Sequence, residues 1–228
     1  LGKMNLYIHD IKNSQIALGD TLLYPKFKER DSVKTFDIVI ANPPWNQDGY
    51  DEEVLKKGEF WKKRFNYGFT PGHSADWAWI QHMLASADEK NGRIGVVIDN
   101  GCLFRGGKER AIREAVIEQK LVECIILLPE KLFYNGPASA AIIILNKNRK
   151  KEFQDKVLII NASPEFEQHP DVRKLNRLGV QNISKIAKAY KEFNEIDGFS
   201  RAVPLEEIKK NDYNLNVTLY VFPEEETE

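Results

Sequence analysis

The stretch Phe36-Asp37-Ile38-Val39-Ile40-Ala41-Asn42-Pro43-Pro44-Trp45 is predicted to form a buried strand followed by a sharp turn. The first part is a short apolar run with β-branched residues, which is typical of a buried strand. The two prolines end the strand, because proline has no backbone N–H and forces the preceding residue into extended geometry. We therefore expect Asn42 at the carboxyl end of this strand, with its amide facing outward. In open α/β sheets, ligands bind in the crevice outside the carboxyl ends of the strands.

The chemistry of this turn suits a flat heterocycle that carries an amino group. Asn42 and Pro43 each present a carbonyl oxygen, and two neighbouring acceptors match the two hydrogens of an exocyclic NH2 group. Trp45 adds a flat aromatic face on which a planar ring can stack. Adenine has both properties. The alternative is a rigid Pro-Pro turn that does no more than end a strand.

Length and composition limit the possible functions but do not identify one. The chain has 228 residues, which fits one large domain or one domain with an extension. Its net charge of -1 is no global signature of nucleic-acid binding, so a DNA substrate would need local basic residues or another subunit to hold it. Cys102 and Cys124 lie in apolar surroundings, and reduced core cysteines fit a cytoplasmic protein. No apolar run is long enough to span a bilayer, no signal peptide is visible, and the four histidines match no metal-ligand spacing.

Strand and helix patterns continue along the rest of the chain. The expected strands are 15–20, 92–99, 121–128, 140–145 and 157–162, and the expected helices are 1–11, 76–87, 108–119, 183–193 and 205–210. Ser74 is the expected cap of helix 76–87. The strands 121–128 and 140–145 suggest a hairpin-like pair at one edge of the sheet. A run of charges at Lys147–Phe153 separates a core of residues 1–150 from an extension of residues 151–228.

Three features of the sequence can each be interpreted in two ways. Asp20 ends the expected strand 15–20, where its carboxylate can accept from the amino group of a nucleoside cofactor, or it serves as a turn or cap residue. Residues 56–67 mix cations with aromatic rings, which suits a loop over nucleic acid and equally an amphipathic helix with an aromatic packing face. Phe133 and Tyr134 follow a strand. Either both line a pocket for a base, or Phe133 packs into the core at the end of the strand.

The Asn-Pro-Pro-aromatic turn resembles the catalytic motif of N6-adenine DNA methyltransferases. From about Lys3 to Val221, the chain further resembles the modification (methyltransferase) subunit of type I restriction-modification systems. The segments that carry this resemblance are Ser74-Ala75-Asp76-Trp77-Ala78-Trp79-Ile80-Gln81-His82-Met83-Leu84, Asn100-Gly101-Cys102-Leu103-Phe104-Arg105-Gly106-Gly107, Gly198-Phe199-Ser200-Arg201 and Asn211-Asp212-Tyr213-Asn214-Leu215-Asn216. The last two are not shared with methyltransferases in general.

The resemblance implies a Rossmann-like sheet that uses S-adenosyl-L-methionine, followed by a small α-rich C-terminal extension. It also implies three groups of site residues. These are the catalytic residues Asn42, Pro43 and Trp45, the cofactor-binding residues Asp20, Leu22 and Asn42, and the substrate-binding residues Trp45 and Phe133.

The expected partners are double-stranded DNA and a separate specificity subunit that reads its sequence, and a restriction subunit is left open. The family's glycine-rich cofactor loop and its ribose-binding acid are absent from these residues. By their order in the family they belong upstream of Leu1, together with the N-terminal part of the sheet. Two alternatives therefore stay open. One is a methyltransferase acting on protein glutamine or RNA, and the other is a non-catalytic fragment or assembly module.

Overall fold

The computed structural model describes residues 2–134 and 139–222, and at its centre lies a mixed six-stranded sheet. The strands are β1 (Lys28–Glu29), β2 (Ser32–Val33), β3 (Ile38–Ala41), β4 (Arg93–Asp99), β5 (Val122–Leu127), β6 (Ala140–Asn146), β7 (Lys156–Asn161), β8 (Glu167–Gln168), β9 (Asn176–Arg177) and β10 (Ser200–Pro204). The sheet order is β10-β7-β5-β6-β4-β3, while β1-β2 and β8-β9 form small separate pairs. Strands β3 and β4 run parallel, as do β5 and β7, and β6 is antiparallel to both of its neighbours. The carboxyl ends of β3 and β4 therefore meet at one edge of the sheet.

Helices of very different lengths surround this sheet. The α-helices of the described ranges are α1 (Gly2–Ile8), α2 (Glu52–Leu55), α3 (Trp61–Arg64), α4 (Asp76–Ala85), α5 (Gly107–Glu118), α6 (Val180–Glu192) and α7 (Leu205–Lys210). Helix α4 is buried almost all round, as its apolar sequence predicts. The predicted cap is wrong by one residue, because Ala75 occupies the N-cap position and Ser74 Oγ accepts from the Asp76 N–H at 3.5 Å. No helix in the described ranges combines the length and apolar character needed to cross a bilayer.

Two apolar cores lie on opposite faces of the sheet. In β7, Val157 and Ile159 belong to one core and Leu158 and Ile160 to the other, because successive side chains of a strand point to opposite faces. A strand buried on both faces reads as a continuous apolar run, which is why the sequence predicts β4 to β7 within two residues of their bounds. Cys102 and Cys124 are free and buried, as predicted, and burial raises the pKa of both thiols.

The predicted strand 15–20 is wrong. These residues form no strand, and the Leu18 side chain is 98% exposed. A strand needs a partner ladder and an apolar face to bury. Among the described residues, 15–20 have neither, because β3 is the end strand of the sheet and residues 15–20 do not pair with it. Ile38 and Ile40 of β3 are accordingly 68% and 78% exposed.

The strands β5 and β6 do pair antiparallel, but their predicted place at an edge of the sheet is wrong. Strand β6 pairs with β4 on its other side, and β5 pairs with β7. The pair is therefore central, because later strands extend the sheet beyond it. Residues after 150 contribute β7 and β10 to this sheet as well as the helices α6 and α7.

Candidate functional site

The Asn-Pro-Pro turn lies at the edge where β3 and β4 end. Asn42 directly follows the last residue of β3, and the register pairs Ala41 with Val96 of β4. Asn42 is exposed and Pro43 is buried. The strand, its abrupt end and the outward position of Asn42 are thus as the sequence predicts. The predicted burial of the strand is wrong, because β3 is the end strand of the sheet in the described residues and exposes Ile38 and Ile40.

The Trp45 indole orients the Asn42 amide. Its Nε1–H donates to the Asn42 side-chain oxygen Oδ1 at 3.0 Å and to the Val97 carbonyl oxygen at 3.1 Å. An amide oxygen has two lone pairs, so Asn42 keeps one acceptor position. No hydrogen bond within residues 2–134 and 139–222 occupies the Pro43 carbonyl oxygen. Two acceptors are therefore available at this turn.

The structure also brings Phe133 to Trp45, but it places the two rings perpendicular to each other. Their centroids are 5.1 Å apart with an interplanar angle of 84°, which is the edge-to-face arrangement that aromatic pairs favour. Rings in direct perpendicular contact cannot enclose a base between two parallel faces. Phe133 therefore supports the Trp45 ring in this arrangement, and its own contact with a target base stays a prediction.

The residues after Trp45 are held by helix α4. Asn46 adopts the left-handed conformation, with φ of 51°, and its backbone N–H donates to Asp76 Oδ1 at 2.8 Å. Trp79 Nε1–H donates to the side-chain oxygen of Gln47 at 3.2 Å. Sequence reasoning missed both contacts. An acid and a tryptophan in the first turn of an apolar helix look like dipole compensation and core packing, and nothing local indicates a loop partner.

Arg105 holds Asp76 in place from the other side. It donates to Asp76 at 2.5 Å, to Asp99 at 2.8 Å and to Glu109 at 2.6 Å. Burial raises the pKa of Asp76, while the Asn46 N–H and Arg105 oppose that rise. Burial also pulls the Arg105 pKa down, but Glu109 and Asp76 outweigh it and hold that pKa above its ordinary value. The result is one guanidinium shared by three carboxylates directly behind the motif loop.

Asp20 lies in a turn, and no strand precedes it in the described residues 2–19. Its carboxylate accepts from the Leu23 N–H at 3.0 Å and from the Tyr50 hydroxyl at 2.9 Å, and burial followed by this second bond raises the Tyr50 pKa. The turn interpretation thus describes its contacts. The Leu22 side chain is fully buried and supports the turn through packing. A cavity of about 200 Å³ opens beside the turn, and Gly19 and Thr21 are among its lining residues.

A buried arginine clamps the same turn. Arg64 is 1% exposed, and it donates to the carbonyl oxygens of Thr21 at 3.1 Å and Leu22 at 2.7 Å. Its Nη1 also lies 3.2 Å from His82 Nδ1. Burial lowers the Arg64 pKa to about 10, and burial together with the Arg64 charge lowers the His82 pKa to about 3. The His82 ring is therefore neutral and accepts from Arg64.

The two interpretations of segment 56–67 apply to different residues of the segment. Trp61 begins the short helix α3 and packs with Phe65 against the apolar cluster around Leu22, which is the packing role. Lys62 and Lys63 stay exposed on the same segment. Trp61 and Phe65 thus pack in or against the core, and contact with nucleic acid stays a prediction for the lysines.

All 228 residues match the family described as N-6 DNA Methylase. The chain belongs to the N-6 DNA methylase family. It is 52% identical over 234 residues to the type I restriction enzyme MjaVIII methylase subunit of Methanocaldococcus jannaschii, a match that covers 100% of this chain and 40% of that protein. It is 31% identical to the type I restriction enzyme MpnII methylase subunit of Mycoplasma pneumoniae, covering 100% of this chain and 42% of that protein. The chain thus spans about two fifths of the length of these relatives.

The fold of the N-6 DNA methylase chain agrees with a solved structure. The type I restriction-modification system methyltransferase subunit from Streptococcus thermophilus matches it with a TM-score of 0.83 at 32% identity, covering 96% of this chain and 45% of that one. The fold class predicted from the sequence, a Rossmann-like methyltransferase sheet with helices, is confirmed by this match.

Proposed function

We propose that this chain supplies the target-base part of a site that transfers a methyl group from S-adenosyl-L-methionine to the N6 amino group of adenine in DNA. The whole protein would act as the modification subunit of a type I restriction-modification system. One observation carries the proposal: two oxygen acceptors, from Asn42 and Pro43, lie at the carboxyl end of β3 beside the Trp45 indole. Membership of the N-6 DNA methylase family supports the reaction class.

The two oxygens act on the nitrogen that receives the methyl group. The adenine amino lone pair is delocalised into the ring, which makes the nitrogen a poor nucleophile. When Asn42 Oδ1 and the Pro43 carbonyl oxygen accept its two N–H bonds, the nitrogen can become tetrahedral and its lone pair leaves the ring plane. S-adenosyl-L-methionine, when bound, would supply a methyl group on a sulfonium, and the two acceptor oxygens would hold the amino nitrogen with its lone pair directed at that methyl group. Catalysis by the chain is positioning and electrostatic stabilisation, without a covalent enzyme intermediate.

Trp45 receives the base after it leaves the duplex. Extruding a base costs a few kcal/mol, and stacking on an aromatic ring returns roughly 1–3 kcal/mol. Two hydrogen bonds and the Phe133 ring hold the indole, so little ordering is left for the moment of binding. This pre-orientation favours Trp45 as the stacking surface and Phe133 as its support.

The cofactor's adenosine is proposed at the Asp20 turn. The carboxylate of Asp20 is fixed by Leu23 and Tyr50, and a carboxylate has acceptor capacity beyond two bonds. The cavity beside Gly19 and Thr21 supports a ligand at this place. Asn42 contributes from the motif side, and the buried Leu22 fixes the turn from below. The glycine-rich loop of this family is not found in the 228 residues, so the rest of the cofactor site is proposed to lie elsewhere in the protein.

The proposed partners are double-stranded DNA and a specificity subunit, with a restriction subunit as a third candidate. The two curated relatives are named as methylase subunits of type I restriction enzymes. A net charge of -1 supports a division of labour in which another subunit holds most of the DNA, because contact with the DNA backbone requires many cations.

The mechanism is tested by Asn42→Ala in the complete gene product, assayed with radiolabelled S-adenosyl-L-methionine and DNA, with and without the specificity subunit. We expect methyl transfer to fall by about 10²-fold or more while the free energy of unfolding stays within about 0.5 kcal/mol, since Asn42 is exposed. Asn66→Ala, at another exposed asparagine, is the control. Normal transfer by Asn42→Ala would remove the mechanism, and transfer to RNA or protein glutamine but not to DNA would replace the substrate.

Two variants of Trp45 separate stacking from orientation. Trp45→Phe keeps an aromatic face but loses the bonds to Asn42 and Val97, and Trp45→Ala loses both functions. We expect Trp45→Ala to weaken binding of DNA with an extruded target base by roughly 1–3 kcal/mol more than Trp45→Phe does, with cofactor binding changed less. Equal losses for DNA and cofactor would speak against a stacking role.

A further inference from the structure

We propose that Asp76 is a positioning residue for the motif turn, and that its carboxylate, shared between Asn46 and Arg105, keeps Trp45 and Asn42 in register. The catalytic meaning of this contact rests on the proposed function. The contact itself can be tested without it.

Each oxygen of Asp76 has its own donor. Oδ1 accepts from the backbone N–H of Asn46 at 2.8 Å, and Oδ2 accepts from Arg105 at 2.5 Å. The side chain of Asp76 is 0% exposed, so water does not compete for either bond. A buried carboxylate with two donors of this kind forms strong, well-directed hydrogen bonds.

The Asn46 contact fixes the direction of the chain after Trp45. Asn46 has a φ of 51°, a left-handed conformation that asparagine tolerates better than most residues. The chain reverses at this point, and the bound N–H selects one orientation of the peptide that follows Trp45. The indole of Trp45 in turn bonds to Asn42 Oδ1 and Val97. A shift of the 45–46 peptide would therefore move the indole N–H away from Asn42.

A neutral amide cannot replace this carboxylate. Asparagine has one acceptor oxygen and one NH2 group, so only one of the two donors can keep an acceptor. The charged Arg105 guanidinium is the stronger donor and attracts the amide oxygen, which leaves the NH2 group facing the Asn46 N–H. Arg105 would still keep Asp99 and Glu109, and its charge would stay compensated. Asp76→Asn should consequently fold and lose specifically the hold on the turn.

Glu109→Gln provides a matched control. Glu109 is also buried, and it also gives one carboxylate to Arg105. The substitution removes one charge from the same cluster with the same change of atoms, but Glu109 has no hydrogen bond to the motif loop. Any effect of Asp76→Asn that Glu109→Gln lacks must therefore come from the contact with Asn46.

The experiment uses the complete gene product labelled with 5-fluorotryptophan, with the Trp45 resonance assigned from Trp45→Phe. Fluorine NMR reports the surroundings of the indole, and steady-state kinetics on DNA report kcat and KM. We expect Asp76→Asn to shift or broaden the Trp45 resonance and to lower kcat more than about tenfold with KM for S-adenosyl-L-methionine within about threefold, as a displaced catalytic group does. Glu109→Gln should leave kcat close to that of the parent and the resonance in place, because Glu109 bonds to Arg105 and not to the motif loop.

Two results would overturn the proposal. One is an Asp76→Asn protein with unchanged kcat and an unchanged Trp45 resonance. The other is an equal effect of Glu109→Gln, which would reduce Asp76 to a member of a structural ion cluster. If the parent protein itself transfers no methyl group, the proposed function fails, and the fluorine spectra of the two variants still decide whether Asp76 positions the turn.

Discussion

Acid should destabilise this protein through His82. The His82 ring accepts a hydrogen bond from Arg64, and an imidazole that accepts through Nδ1 must be unprotonated there. Burial and the Arg64 charge lower the His82 pKa from 6.5 to about 3 in the folded protein. The unfolded chain therefore binds more protons than the folded one between these values, so that stability is complete above pH 6.5 and is lost as the pH falls.

The size of this loss follows from the two pKa values. Between about pH 7.5 and pH 5, the ring protonates in the unfolded chain and stays neutral in the folded one. The linkage relation then gives a loss of about 2 kcal/mol. Any folded-state pKa well below 5 gives the same number, since the unfolded-state value sets the loss over this range. A change of 2 kcal/mol is a large part of the stability of an ordinary domain.

The assay is urea unfolding of the parent and of His82→Asn at four pH values across this range. Asparagine can accept from Arg64 but does not titrate. Any effect of the substitution on packing therefore shifts the whole curve of unfolding free energy against pH, whereas the difference in slope between the two proteins reports protonation of the His82 ring. We expect the parent to lose about 2 kcal/mol more than His82→Asn between about pH 7.5 and pH 5. The other three histidines are present in both proteins and cancel in the difference. Parallel curves for the two proteins would refute the reasoning.

Three other perturbations follow from single contacts. Arg64→Met leaves the carbonyl oxygens that Arg64 binds without a donor, and urea unfolding should show a loss of about 3 kcal/mol or more. Leu22→Ala should lower the free energy of unfolding by about 2–5 kcal/mol in the same assay, because the side chain is fully buried. The control Ile40→Ala, at a side chain that is 78% exposed, should change it by no more than about 0.5 kcal/mol. Similar losses for the two variants would contradict the packing described. Phe133→Ala removes the edge contact with Trp45, worth about 0.5–1.5 kcal/mol, and should move the Trp45 fluorine resonance; an unmoved line would speak against that contact.

The central strands could be predicted because a strand that is buried on both faces has an uninterrupted apolar sequence. Strand β7 places Val157 and Ile159 in one core and Leu158 and Ile160 in the other, so no polar residue interrupts the apolar run. Residues 15–20 carry a similar short run, but an apolar run becomes a strand only beside a partner. Which strands neighbour each other is a property of the whole sheet, and this is also why the sequence could not place β5 and β6 in its centre.

The turn at Asn42 could be predicted for a different reason. Pro43 and Pro44 act on the backbone locally, and local stereochemistry can be read without knowing the fold. The supports of the turn could not be predicted in this way. Asp76 lies 30 residues from Asn46 and 29 from Arg105, and an isolated acid at the start of a helix has many common explanations. Only the packing of α4 against the loop makes it a support of the site.

Helix α4 connects the two halves of the proposed site. Near its amino end, Asp76 and Trp79 bind the loop that follows the motif. Further along, Gln81 accepts from the Tyr67 N–H and donates to the Gly68 carbonyl oxygen, and His82 meets the arginine that clamps the Asp20 turn. These polar side chains interrupt an otherwise apolar helix, and each binds a group outside it. A rigid, buried helix that holds both turns limits their movement relative to each other, which is the condition under which preorganised acceptors are most effective. The apolar surface of α4 therefore stabilises the fold, and its few polar residues set the distance between the motif turn and the Asp20 turn.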